Sequence, residues 1–214
     1  MRAEAERNLP VIRESLLRLQ NQRAYIQSLQ AALSSAKVSG MTVSVPGATP
    51  RGGSAIFVSV SRSTWITAQA AGLVALLPSD QAGLYSRIDF NAEEAIHDKD
   101  EMYETIRLFL AECSRANFDY STPTISTLTV AHRDDLLLQL SRVEAAIENY
   151  ALRLSLVEGA DEAVVAGVLS LQGTYPYQTA ALARLTFNSR IGAFYGGETG
   201  STYKDLSAHP ASPE

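Results

Sequence analysis

Apolar residues recur along most of this chain at the three- and four-residue spacing of a helix face, with one interruption of different character. Leu9, Ile12, Leu16, Leu19, Ile26 and Leu33 form a heptad stripe, with Arg23 and Gln30 at the intervening seam positions. The spacing predicts a helix from 9 to 36 capped by Asn8, with Pro10 in its first turn, where a missing N–H costs little. A start as early as Ala3 would instead place Pro10 inside the helix as a kink. A rod of that length, about 40 Å at ~1.5 Å per residue, needs partners along its side.

The interruption begins at Gly40. Met41–Val45 and Ala55–Val60, both rich in β-branched residues, flank the Pro- and Gly-rich stretch 46–54. That pattern predicts two strands and a loop, a small β-hairpin insert over 41–60 with Phe57 as its anchor. Ser61, Ser63 and Thr64 then precede the only tryptophan, Trp65, and an uncharged run to Leu76-Leu77-Pro78. Hydroxyl side chains ahead of an apolar run satisfy free helical N–H groups and proline cannot continue the ladder, so a short buried helix is expected over 64–77.

Helical spacing resumes after Pro78. Leu84, Ile88, Ala92, Ala95, Met102, Ile106, Phe109 and Cys113, with Lys99 at the seam, predict a helix over 80–113 that Asp89-Phe90-Asn91 could divide. A loop from Arg115 to Ser126 containing Pro123 reverses the chain. Leu136, Leu140, Val143, Ile147, Tyr150, Leu154 and Val157 then alternate by four and three, the most regular pattern present, predicting a helix over 128–158. Gly159 reads as its stop, followed by a short helix over 160–171 and another over 179–187. The fold class expected is mainly α: an antiparallel bundle of long helices with a small β-hairpin insert and an irregular C-terminal tail. Helix 1 and the helix over 128–158 would be the main partners, with 80–113 alongside. The bundle domain spans 1–195 and includes the insert; residues 196–214, poor in apolar side chains, form a flexible tail.

Length and charge narrow the function. At 214 residues, 46% hydrophobic, the chain can bury a substantial core, and a net charge of -5 without a Lys/Arg cluster argues against nucleic acid as a partner. Residues 1–36 carry five arginines (2, 7, 13, 18, 23) against three glutamates, whereas 79–112 carry nine acids against Arg87, Lys99 and Arg107, so these two helices are expected to attract each other weakly. Cys113 alone can form no intramolecular disulfide and falls on an apolar stripe, where a thiol behaves as a small hydrophobe. The opening Met1-Arg-Ala-Glu-Ala-Glu-Arg is charged, so no secretory leader is expected, and the longest uncharged run is too short to cross a bilayer.

No motif here carries chemistry. Glu94 and His97 share a helix face and form half of a di-iron carboxylate set, but neither His132 nor His209 has a Glu three residues before it. Asp98-Lys-Asp100 lacks the glycine of a calcium loop. His132-Arg133-Asp134-Asp135 reads as a helix start. No nucleophile elbow or phosphate-binding glycine loop occurs. Tyr175, Tyr177, Phe187, Phe194 and Tyr195, with Arg184 and Arg190, concentrate aromatic and guanidinium groups that would close one end of the bundle or, alternatively, form an interface, where such side chains are favoured. No cofactor or metal is expected, and no enzyme activity.

The block Ser61-Arg-Ser-Thr-Trp65-Ile-Thr-Ala68-Gln-Ala-Ala-Gly72-Leu-Val-Ala-Leu-Leu-Pro78, followed by Tyr85, resembles a recurring segment of uncharacterised bacterial proteins with an N-terminal membrane anchor and a helical domain outside the cytoplasm. The resemblance spans about 60–150. It implies the periplasmic face of a membrane, with membrane attachment only through an anchor preceding Met1. The expected function is a non-enzymatic interaction or scaffold domain that binds a protein partner or self-associates through the helix 1 stripe of Leu9, Ile12, Leu16, Leu19, Ile26 and Leu33. The alternative is a small-molecule sensor with a pocket between bundle and hairpin, lined by Phe57, Trp65 and Tyr85.

Overall fold

The computed structural model describes residues 1–35, 41–44, 60–120 and 125–185. These form α1 (Arg2–Ser35), β1 (Met41–Ser44), α2 (Ser63–Ala70), a 3₁₀ turn (Leu73–Leu76), α3 (Ser79–Arg115), β2 (Ile125–Leu128), α4 (Val130–Val165) and α5 (Leu171–Arg184). The fold is mainly helical, five helices packed on one another.

α4 is the shared partner, with α1, α3 and α5 all packing on it. Its heptad residues Leu136, Leu140, Val143, Ile147, Tyr150, Leu154 and Val157 are all buried. From α1 they meet Ile12, Leu16, Leu19, Ile26, Leu29 and Leu33, and from α3 Ala92, Ala95, Met102, Phe109 and Cys113. α1 runs antiparallel to α4, since Arg13 pairs with Glu158 and Glu162 while Arg23 pairs with Glu144 and Glu148. α3 is antiparallel as well: Arg153 reaches Glu94 and Asp98, and Tyr150 feels Asp100 and Tyr103. The basic face of α1 therefore docks on glutamates of α4, not on the acidic α3 as its charge had suggested.

Several helix ends differ from expectation. α1 begins at Arg2 and takes Pro10 into its interior. Asn8 does not cap it, because its side chain is engaged by the distant Ser61 backbone. α3 runs unbroken through Asp89-Phe90-Asn91, with Asn91 buried. It ends where Asn117 turns left-handed at φ 49° and Phe118 N–H bonds back to Cys113 O. Gly159 does not stop α4, which continues to Val165 and ends in the same way at Gly167, φ 88°. Gly159 serves α5 instead. A β-carbon there would sit 2.5 Å from Gln178 Cα and 2.7 Å from Tyr177 O, so the missing side chain is what lets the α5 backbone rest on α4.

The 41–60 hairpin is not supported. β1 pairs antiparallel with β2, Met41 opposite Leu128 and Ser44 opposite Ile125, a strand that begins at the end of the expected loop 115–126 and takes up the expected start of the helix at 128. The reason is topological. α1 and α3 both oppose α4 and so run parallel, and the chain between them must travel the length of α1. β1 lies near the C-terminal end of α1, whereas Ser61 is fastened to Asn8 near its start; a hairpin would return the chain to where it began. Residues 45–59, including Phe57, and 186–214, including the tail, Phe187, Arg190, Phe194 and Tyr195, lie outside the described residues.

Replacing Leu140 by Ala should cost ~2–5 kcal/mol in chemical denaturation, whereas Arg18→Ala, which loses only an exposed pair with Glu14, should stay within ~0.5 kcal/mol. Gly159→Ala, a mild change in an isolated helix, should here cost ~1–3 kcal/mol or more by forcing two backbones apart. Equal stability of Gly159→Ala and wild type would contradict the α4–α5 contact.

Candidate functional site: the fastening of the Ser61–Trp65 segment

Polar side chains from α1 and α3 converge on Ser61–Trp65, where the chain enters α2. Asn8 reads the Ser61 backbone as a strand would, accepting from its N–H at 3.1 Å and donating to its carbonyl at 3.2 Å. Oε1 of Glu4 accepts from Ser61 Oγ at 2.7 Å, Ser63 Oγ at 3.0 Å and Thr64 N–H at 3.1 Å. The first turn of α2 is thus capped from another helix. Of the expected hydroxyls only Ser61 contributes, its Oγ accepting a long bond of 3.5 Å from the Ser63 N–H, while the residue at the cap position, Arg62, makes none. On the other side, Arg62 clamps Asp89 of α3 with two bonds, 2.6 and 2.9 Å, and touches Glu93 at 3.4 Å.

Below these bonds Trp65 fills a second apolar cluster with Ala5, Leu84, Tyr85, Ile88, Ala160 and Val164. The Trp65 and Tyr85 rings are tilted against each other, centroids 6.0 Å apart. Two of the three expected pocket residues are therefore brought together, but as packing: the cavity beside Trp65 is about 20 Å³, room for about one water molecule. It is lined also by Glu4, Asn8, Asp89 and Asp161.

Asp161 is the unusual group. It is 3% exposed, and burial together with the nearby Glu4 charge pushes its carboxyl up to about 7, against the pull of a hydrogen bond with Asn8. Glu4 shifts the other way. Burial opposes its charge, but the Ser61, Thr64 and Ser63 donors outweigh that and hold its carboxyl below the usual range. Asp161 Oδ2 and Trp65 Nε1 have no hydrogen-bond partner among the described residues.

The second charged cluster joins three helices. Glu158 and Glu162 of α4 are each shared by Arg13 of α1 and Arg184 of α5, at 2.5 to 3.1 Å. Cys113 is a buried thiol pushed up to about 12 by burial. Glu94 and Asp98 face Arg153. His132 donates its backbone N–H to Thr129, the cap of α4. No group of three or more metal-ligating side chains occurs among the described residues.

No family model, curated protein or solved structure matches this chain. Its function has to be read from its own surface and interior. The six expected interface residues are not on that surface: Ile12, Leu16, Leu19, Ile26 and Leu33 are buried against α4 and Leu9 is half-buried. Exposed apolar side chains occur on every long helix, among them Leu17, Phe90, Leu108 and Leu138, but on α2 and the 3₁₀ turn Ile66, Leu73 and Leu76 are 49%, 51% and 79% exposed within one short uncharged stretch. Tyr175 of α5 is also exposed, while Arg184 belongs to the glutamate cluster. No helix among the described residues is long and apolar enough to cross a membrane.

The sequence reading passed over Glu4 and Asp161 and mistook Asn8 for a cap. One signal could have found them. Counted back from Leu16, Ile12 and Asn8 follow at steps of four, then Ala5 at three and Glu4 at four from Asn8, and Leu154, Val157 and Asp161 continue the α4 stripe at three and four. A polar residue in register with an apolar stripe is a buried polar residue.

Glu4→Gln should weaken the α2 cap and cost ~1–3 kcal/mol at neutral pH. Because the folded state holds Glu4 ionised more strongly than the unfolded chain does, its contribution is present above the unfolded value of 4.5 and lost as pH falls through the folded one. The stability difference between wild type and Glu4→Gln, measured by urea titration, should therefore shrink between pH 6 and pH 3.

Proposed function

We propose that this chain is a non-enzymatic interaction domain, a helical scaffold that meets a protein partner through the outward edge of α2 and the 3₁₀ turn. One observation carries the reading. The stretch from Ser63 to Ser79 has no charge, and along the 3₁₀ turn Val74 and Leu77 pack inward on the Trp65 cluster while Leu73 and Leu76 face solvent. Residues three apart eclipse one another in a 3₁₀ helix, so these two leucines form one edge, with Ile66 on the preceding helix. Exposed leucines grouped on an uncharged element mark a contact surface more often than single scattered ones.

Self-association through the helix 1 stripe gives way to this surface, since that stripe is occupied by α4. Less supports the small-molecule reading among the described residues: drug- or metabolite-sized ligands take pockets of roughly 300–1,000 Å³, and the cavity beside Trp65 is about 20 Å³ there, with Phe57 outside the described residues.

A photo-crosslinking residue at position 76, activated in the source cell, should yield an adduct of discrete mass, either a second copy or another protein. Leu73→Asp in the same chain should reduce that adduct at least several-fold while circular dichroism stays unchanged. A chain that gives no adduct, and sediments as a monomer at high micromolar concentration, would remove the interaction reading.

A further inference from the structure

We propose that Asp161 is a proton-controlled latch: while its carboxyl is neutral the first turns of α1 and the Ser61–Trp65 segment stay docked on α4, and its ionisation releases that segment while the rest of the bundle stays folded. The proposal is independent of the interaction reading and needs no partner.

The geometry supports it from every side of the group. From α1, Glu4, Asn8 and Met1 line the same cavity as Asp161, the Glu4 charge and the Asn8 side chain acting on its carboxyl in opposite directions. From the entering segment come Arg62 and Trp65, and from α3 Asp89. Arg62 is already committed to Asp89 through two bonds and to Glu93 through a third. On α4 itself Glu158 and Glu162 flank Asp161, and both are neutralised by Arg13 and Arg184. No cation within hydrogen-bonding distance is thus assigned to Asp161 among the described residues. Glu4 must stay ionised because three donors point at one of its oxygens. Two carboxylates share one small buried space, Glu4 with three donors and Asp161 with the Asn8 side chain alone, so Asp161 is the one favoured to keep its proton.

Ionised Asp161 would act directly on what Asn8 and Glu4 hold. Its charge repels Glu4 and draws the Asn8 amide away from the Ser61 carbonyl. The element released is small: α2 is eight residues long and contributes a single buried side chain, Trp65, to a satellite cluster separate from the main core. Opening of such a unit precedes global unfolding.

The sign follows from linkage. Docked Asp161 titrates near 7, and once exposed it returns towards its ordinary 3.8. Between those values the docked state keeps a proton that the open state has lost, so the open-to-docked ratio rises by up to about tenfold per pH unit and levels off above the docked value. Glu4 works in the opposite sense at lower pH, so the latch is tightest in mildly acidic solution.

Amide hydrogen exchange of the intact chain tests this, following the Ile66 and Ala71 N–H groups, which bond to Arg62 O and Thr67 O. Corrected for intrinsic rates, their protection should fall about tenfold per unit from pH 5 to 7 and then flatten, always below that of the α4 amides around Ile147. Asp161→Asn should keep the fold and remove the slope. A flat profile in wild type, the same slope in Asp161→Asn, or α2 and α4 amides opening together would each overturn the proposal. A second measurement needs no variant: the Asp161 carboxyl ¹³C shift should titrate near pH 7, and titration near 4 would sink the latch.

Discussion

The burial of α4 on three sides is the constraint from which the rest of the structure follows. Between Ala151 and Val164 most residues are buried, among them Ser155, Glu158 and Asp161. A helix in this position has no solvated face on which to place polar side chains. Each one has to be paired, neutralised or left without a partner, and the α4 residues display all three outcomes. Glu158 takes two guanidinium groups, Asp161 has its carboxyl pushed up to about 7 by burial, and Ser155 Oγ has no partner among the described residues. The small residues Ala151, Gly159, Ala160 and Ala163 in the same stretch are what allow three helices to approach it at once.

The glutamate–arginine cluster follows from that crowding, and its contribution is to register more than to stability. Desolvating two carboxylates and two guanidiniums costs several kcal/mol per ion, which mutual attraction roughly offsets. Sliding α1 by one turn along α4 would move Arg13 by ~5.4 Å from Glu158 and Glu162, and Arg23 equally from Glu144 and Glu148, leaving buried charge uncompensated. Two such points on one helix pair select a single alignment where a leucine stripe alone would tolerate several. The exposed pairs Arg2–Glu6 and Arg107–Glu104 contribute little by comparison, being solvated and local.

This also explains which parts of the architecture could be read along the chain. The stripes of α1, α3 and α4 were legible because each buries one face continuously, and their periodicity records that burial directly. Leu29, fully buried beside Ile26 and Leu33, escaped only because the heptad frame put Gln30 at the seam. Helix ends were less legible. Gly159 and Gly167 look alike in sequence, yet one is a contact surface for α5 and the other a left-handed stop. That difference depends on α5, which no local pattern encodes. The β1–β2 pairing joins residues more than eighty positions apart, and four-residue strands carry too short an alternation to announce a partner. The charges of α1 were read correctly as helix-docking groups but assigned to the wrong helix. Net charge per segment says nothing about which residues share a face.

The remaining step concerns why the Ser61–Trp65 segment is held by polar bonds at all. Because α1 and α3 run parallel, the connection between them starts near the C-terminal end of α1 and Ser61 is fastened at its other end, beside Asn8. There Ala5, Leu84, Tyr85, Ile88, Ala160 and Val164 of the long helices leave an apolar recess that one side chain, Trp65, fills. α2 is too short to build a stripe of its own and buries Trp65 alone, so little hydrophobic free energy is available to dock it. Asn8, Glu4 and Arg62 make up the difference with hydrogen bonds whose strength depends on charge state, something that burying another leucine could not provide. The same shortage leaves Leu73 and Leu76 in solvent. The chemistry that fastens this element and the apolar edge it presents are therefore two consequences of one topological demand.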